Sequence, residues 1–201
     1  MPYEPSAGQR ARTKILDAAV GAFAARGFYG VTIREVGQAA GMSNASLLHH
    51  YPNKEQLYRA VLAGIAEQLE SVDTAVAAAD PSLQAKGAAL FDAWIDWSEA
   101  HRDEAAVLAR ELLDNVGRVR RVKHLYLAGV FRRLVRQFAG NELSDADAAL
   151  VVLHILGSIS YFFIGLPTTT RIVAGGRKRL TRRYRAIVRA QVLIGLEGID
   201  R

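Results

Sequence analysis

The chain has 201 residues, half of them hydrophobic, a formal net charge of +6 and no cysteine. That length supports one sizeable core or a small module joined to a larger domain, which excludes disorder as the main state. The missing cysteine excludes a disulfide framework, a thiolate metal site and a cysteine nucleophile, while the basic balance favours polyanionic partners without naming one.

In chain order, residues 1–12 hold Pro2, Pro5 and polar residues, without the continuous apolar segment of a secretory signal, so a cytoplasmic location is expected. Ile15, Ala19, Ala22 and Phe23 then repeat at helical spacing after a basic lead-in of Arg10, Arg12 and Lys14, and Gly27 stops that helix. Thr32 with Glu35 forms a capping box for a short second helix ending at Gly41, and Ser43 can cap a third. Asn53 with Gln56 opens a long fourth helix whose apolar positions Tyr58, Leu62, Ile65, Leu69, Val72 and Val76 alternate steps of four and three, fading near Asp80. Asp80 and Pro81 read as the N-cap and first residue of a fifth helix carrying Phe91, Trp94 and Trp97. Further helices are expected over residues 103–115 and 118–138. Ser144 with Asp147 opens another, Pro167 and Gly175-Gly176 bound a loop, and a last helix covers 178–196. Strand signals are weak throughout, so the fold class is all-α with about nine helices.

Charge comes in blocks: +3 over residues 1–60, −8 over 61–117, +7 over 118–139, −3 over 140–170 and +8 over 171–189. The stretch from Ala148 to Leu166 has no formal charge over 19 residues, long enough to span a membrane. It also contains His154, Ser158, Ser160, Tyr161 and two glycines, and a helix apolar on all sides equally suits the centre of a bundle or a dimer interface. The buried reading is preferred. A membrane-anchored regulator remains the alternative.

Residues 33–51 have the pattern of a helix-turn-helix. Gly37 is the small residue where two helices cross, Gly41 forms the turn, and Val36, Ala40, Met42 and Leu47 face inward, which leaves Ser43, Asn44, Ala45, Leu48 and His49 outward. Hydroxyls of Thr32 and Ser43, with the free amides at their helix starts, suit phosphates. Asn44 can pair with an adenine edge, Ala45 and Leu48 can touch a thymine methyl, and Lys54 can add a phosphate contact. An ordinary helical hairpin with solvated polar residues fits the same pattern.

The surrounding blocks add to it: Arg12-Thr-Lys-Ile-Leu-Asp-Ala-Ala, Phe23-Ala-Ala-Arg-Gly-Phe, Val31-Thr-Ile-Arg-Glu-Val, Ala39-Ala-Gly-Met-Ser and His49-His-Tyr-Pro-Asn-Lys-Glu-Gln-Leu. In this order and spacing they closely resemble the N-terminal domain of the TetR family of transcriptional repressors over about residues 9–63. The resemblance implies a homodimer whose N-terminal helices, residues 1–55, bind double-stranded operator DNA. It implies that residues 56–201 bind a small-molecule effector and dimerise through the last two long helices. Carried over by position, Thr32, Ser43, Asn44, Ser46, His49, Tyr51 and Lys54 keep residue types able to contact DNA. Leu48 stands where members usually have a phosphate-contacting tyrosine, and Ala45 where glycine or proline is common.

For the effector, Phe91, Trp94, His101, Tyr126, His154, Ser158, Tyr161 and Phe162 combine apolar walls with hydrogen-bonding groups, although aromatic residues at this spacing also describe plain core packing. For dimerisation, Gly157 permits close helix approach, while Tyr184, Ile187, Gln191 and Ile194 share a face of the last helix. The basic runs at 118–123 and 177–185 read as solvated faces or partners of the acidic block. The five histidines lack metal-ligand spacing, and no phosphate loop or nucleophile elbow is present, so neither an enzyme nor a cofactor is expected.

Overall fold

A computed structural model of the chain describes residues 6–114, 127–140 and 143–198, which are helix, turn and coil with no strand among them. The helices are α1 (Ala7–Arg26), α2 (Ile33–Ala39), α3 (Asn44–His50), α4 (Lys54–Gln68), α5 (Glu70–Ala77), α6 (Leu83–Ala100), α7 (Arg102–Asp114), α8 (Ala128–Phe138), α9 (Asp145–Ile172) and α10 (Gly176–Glu197). They fall into two compact units, residues up to 67 together with 103–126, and residues 68–102 together with those from 127 onward.

In the first unit the chain starts helices where short side chains can close the first turn. Ser6 and Thr32 both make full capping boxes, with Gln9 and Glu35, and Gln56 N–H donates to Asn53 Oδ1 at 2.9 Å ahead of α4. Gly27 ends α1 at φ 70°, its N–H donating to Phe23 O at 2.8 Å. The core joins Ile15, Ala19, Phe23, Val36, Leu47, Leu57, Tyr58 and Leu62, all at most 1 % exposed. Phe23 meets Tyr58 edge-on at 4.8 Å between centroids. The Tyr58 hydroxyl donates to Glu111 Oε2 at 2.8 Å, so the one polar atom of that ring is satisfied from α7. Arg110, also on α7, donates from Nε and Nη2 to the carbonyls of Ala24 and Ala25, both at 2.8 Å, and so neutralises the negative end of α1.

In the second unit α6 runs beside α5, α9 and α10. Asp92 of α6 takes Arg189 at 2.8 Å and Arg185 at 3.7 Å, and Asp96 also pairs with Arg185, so part of the basic run of α10 answers the acidic block as the sequence suggests. Arg133 of α8 likewise donates to Asp73 Oδ2 of α5 at 2.7 Å. The run Arg118, Arg120, Arg121 and Lys123 lies outside the described residues.

Three boundaries differ from the sequence reading. The long fourth helix is broken at Leu69, where Ser71 Oγ donates to Gln68 O at 2.9 Å and Thr74 Oγ1 to Glu70 O at 2.8 Å, bonds that divert the backbone ladder. Its apolar repeat survives the break, since Leu69, Val72 and Val76 are still buried. The cap of α6 is Ser82, not Asp80: the Asp80 carboxylate accepts the Ser82 N–H at 2.9 Å in a turn that holds Pro81, which holds its pKa below the ordinary value. Pro167 bounds no loop, because α9 continues through it to Ile172. The proline removes one ladder bond, but Leu166 beside it is buried, and Thr169 Oγ1 donates to Gly165 O at 3.0 Å across the same turn.

Candidate nucleic-acid interface

The helix pair α2–α3 is built by contacts within about fifteen residues. Gly41 takes φ 68°, a left-handed conformation that a side chain would strain, and it reverses the chain between the helices. The Met42 N–H donates to Gly37 O at 2.8 Å, which draws the turn down onto α2. A Cβ at buried Gly37 would sit 3.4 Å from Met42 O and 3.5 Å from Leu47 Cδ1, so there is room for one methyl and little more. Leu47 is wholly buried and fixes which face of α3 turns outward.

That outward face carries Ser43, Asn44, Ala45, Ser46 and His49, all exposed, in the first two turns of α3. Ser43 Oγ accepts the Ser46 N–H at 3.1 Å and keeps its own proton for another acceptor. Leu48 is half-buried at the edge of the face. Tyr51 caps the helix end, its N–H donating to Leu47 O at 2.9 Å. Burial raises its phenol pKa, and the charge of Arg12 opposes that rise.

Two expected phosphate groups are otherwise engaged. Thr32 Oγ1 donates to Glu35 Oε2 at 2.7 Å and accepts the Glu35 N–H at 3.3 Å, so its hydroxyl is spent on the capping box. The Glu35 carboxylate also takes Arg26 Nη1 at 2.6 Å. The Arg26 hydrogen bond, then those from Thr32, lower the Glu35 pKa to about 2. Lys54 Nζ donates to Phe28 O and Val31 O, each at 2.9 Å, and stands 4.5 Å from the Phe28 ring. Its ammonium therefore closes the α1–α2 loop, a role that a motif read along the chain does not contain. Conversely, the sequence reading left Arg12 and exposed Arg34 out of the interface. The signal for Arg34 was available, as a cation two residues into an expected helix, whereas Arg12 lies on α1 and only the fold brings its charge to bear on Tyr51.

The residues expected at an effector site separate into two groups. Phe91 and Trp94 are buried, and Phe162 stacks on Tyr184 at 3.9 Å between centroids, with Phe91 6.2 Å from the same ring. Ser158 is half-buried, its Oγ donating to Ile155 O at 2.9 Å, and half-buried His101 stacks on Trp97 at 5.7 Å. His154 and Tyr161 instead lie on an exposed stripe of α9, Tyr161 at 77 %, and so do not join this aromatic group. The reason is register: positions 154, 157, 161 and 164 share one face, and 155, 158, 159 and 162 the faces beside it. Tyr126 lies outside the described residues. Of the residues expected at a dimer interface, Gly157, Ile187, Gln191 and Ile194 are exposed, whereas Tyr184 is half-buried between Phe91 and Phe162. Among the described residues no group of histidines and carboxylates could hold a metal. Among the described residues one helix, α9, is long and apolar enough to cross a membrane by length and composition.

Residues 15–61 match the pattern described as "Bacterial regulatory proteins, tetR family". Over 69 residues the chain is 36 % identical to the HTH-type transcriptional repressor KstR2 of Rhodococcus jostii, covering 34 % of each chain. Over 53 residues it is 42 % identical to the HTH-type transcriptional regulator RutR of Escherichia coli, covering 26 % of this chain and 25 % of RutR. The chain thus matches about a third or less of the length of these relatives. The fold is shared more widely: the fatty acid degradation regulator FadR of Bacillus halodurans superposes with a TM-score of 0.70 over 95 % of this chain and 97 % of its own, at 17 % identity.

Proposed function

We propose that the chain is a regulator of the TetR family, whose pattern its residues 15–61 match, and that it is a dimeric repressor released from operator DNA by a small-molecule effector. Residues 1–55 bind the DNA, and residues 56–201 bind the effector and pair the two copies. The observation that carries this reading is the run of short, exposed polar side chains Ser43, Asn44, Ser46 and His49 on α3, held rigid from behind by Leu47 and the Gly41 turn. Short side chains let the backbone approach phosphates and let Asn44 reach an adenine edge. Exposed Arg12, whose charge acts on Tyr51, and exposed Arg34 on α2 supply cations for phosphates.

Pairing rests on the second unit. Leu150, Leu153, Tyr161 and Ile164 on α9 and Ile187 and Ile194 on α10 are large apolar residues exposed in the single chain. A second copy presenting the same face would cover them. The membrane-anchored alternative is disfavoured by the opposite side of α9, where Ala148, Val152, Ile155, Ile159 and Leu166 are already buried within the chain. Such a regulator works in the cytoplasm and needs no catalytic group.

The test is binding of the purified protein to its own upstream DNA against random duplex at moderate salt, without effector. A preference for the former is expected, with affinity falling steeply as salt rises. Equal affinity for both would end the repressor reading, and recovery of the protein only in detergent would favour the anchored one.

A further inference from the structure

We infer that the second unit takes an organic anion with an apolar body, its acidic head held by Arg177 and its body by the aromatic side chains of α6 and α9. The inference rests on the effector-binding assignment of residues 56–201 and names the chemical class of the effector.

The argument starts from hydrogen-bond donors that have no acceptor. Trp97 is 5 % exposed, and its indole N–H, buried, meets no partner. The buried Nε of Arg177 meets none either. The Tyr184 hydroxyl lies next to that of Ser158 without a well-formed hydrogen bond. Buried polar atoms are almost always paired, and leaving one unpaired is strongly unfavourable, so the buried donors of Trp97 and Arg177, which like Arg185 Nε have no hydrogen-bond acceptor among the described residues, call for one. Trp97 and Arg177 belong to helices that pair side by side, α6 and α10. The Asp92–Arg189 and Asp96–Arg185 ion pairs fix the two as antiparallel, which puts Trp97 level with Tyr184 and residue 177 level with residue 104, about two turns beyond Trp97 and past the end of α6.

The charge there has a definite sign. Burial first, and then the like charge of Arg102, push the Arg177 guanidinium below its ordinary pKa, while Glu99 acts the other way without forming a salt bridge. Two guanidinium groups close enough to repel, one of them partly desolvated, are relieved by a guest carrying negative charge. Beside this head the surroundings are apolar, the Arg177 guanidinium standing 5.8 Å from the Phe163 ring and Phe163 meeting Phe162; further along α6, Trp97 meets Trp94 at 5.4 Å between centroids, the rings tilted by 40°. Acceptors at one end and flat or aliphatic carbon along the rest describe a carboxylate or phosphate on a hydrophobic body.

Trp94 and Trp97 are the only tryptophans in the chain, so intrinsic fluorescence reads this place directly. The full-length protein is titrated with octanoate and 3-phenylpropionate, each against its neutral alcohol, octan-1-ol and 3-phenylpropan-1-ol, below the concentrations at which they self-associate. At least one acid should saturate the tryptophan signal and bind at least tenfold tighter than its alcohol. Arg177→Met keeps the side-chain stem and removes the unpaired nitrogen, so it should fold as well as the parent, abolish the preference for acid and leave alcohol binding unchanged. Arg177→Lys should keep part of the preference. The inference is overturned if acid and alcohol bind alike, if neither binds, or if Arg177→Met keeps the ratio. Operator binding is measured on the same samples without probe. Sequence-specific DNA binding without acid preference overturns this inference alone. Acid preference without DNA binding supports the anion site and overturns the regulator reading.

Discussion

Replacing Lys54 with methionine separates two roles for one ammonium group. In the structure Nζ gives hydrogen bonds to the carbonyls of Phe28 and Val31, which lie 26 and 23 residues earlier and carry the chain from α1 into α2. A hydrogen bond to a charged group contributes about 1.5–3 kcal/mol, and Lys54 is only half-buried, so the lower figure applies to each and the pair contributes roughly 3 kcal/mol. For a chain of this length each kcal/mol moves Tm by about 2–4 °C, so Lys54→Met should lower it by roughly 6–12 °C. Methionine keeps most of the stem against Phe28, so the loss reports the ammonium rather than packing. The assay pairs thermal unfolding with operator titration at several salt concentrations. If Lys54 is a clamp, Tm falls and the salt dependence of DNA binding keeps its slope. If it is a phosphate contact, Tm holds while the slope shrinks by about 0.9 in log–log form. That second outcome would refute the argument from the two carbonyls.

Three further predictions test neighbouring parts of the reading. Asn44→Ala should lose about 1–3 kcal/mol of discrimination at one base position, read by competition between operator variants, and an equal loss on random DNA would contradict a base contact. Glu35, held near pKa 2 against 4.5, stabilises the start of α2 fully above about pH 4.5 and loses that contribution as pH falls toward 2. Acid unfolding of Glu35→Gln should therefore show a weaker dependence on pH over that window, and an unchanged acid profile would contradict the role given to Arg26 and Thr32. Ile187→Asp with Ile194→Asp should convert the proposed dimer to monomers in sedimentation while leaving the helical circular dichroism intact. A dimer that persists would locate the interface elsewhere.

What the sequence made legible was local. Thr32 with Glu35, Ser43, Asn53 and Ser144 each cap the helix they were expected to cap, because donor and acceptor lie within three residues of each other. The apolar repeat from Tyr58 to Val76 identified buried positions even where the helix itself breaks, since burial depends on which way a side chain faces and not on an unbroken ladder. What failed needed a longer reach. Asp80 and Ser82 are both good caps two residues apart, and only the turn in which Asp80 accepts from Ser82 decides between them. Lys54 looked free because its acceptors are more than twenty residues away.

The uncharged stretch shows the limit most clearly, and also what lies behind it. A helix apolar on every side has no contrast between faces, so its sequence cannot say that Ser158 and Phe162 turn toward the aromatic group and His154 and Tyr161 away from it. Only the packing of α6, α8 and α10 against α9 assigns the faces. Those neighbours account for the apolar character of one side alone. Leu150, Leu153 and Tyr161, at 63 %, 54 % and 77 % exposed, have no cover within the chain. Exposure of that much apolar surface favours association, at about 25 cal/mol for each Å² removed from water, and charge placed there would oppose it. On the dimer reading the absence of charge over these 19 residues has two causes on opposite sides of one helix, a core within the chain and a second copy outside it.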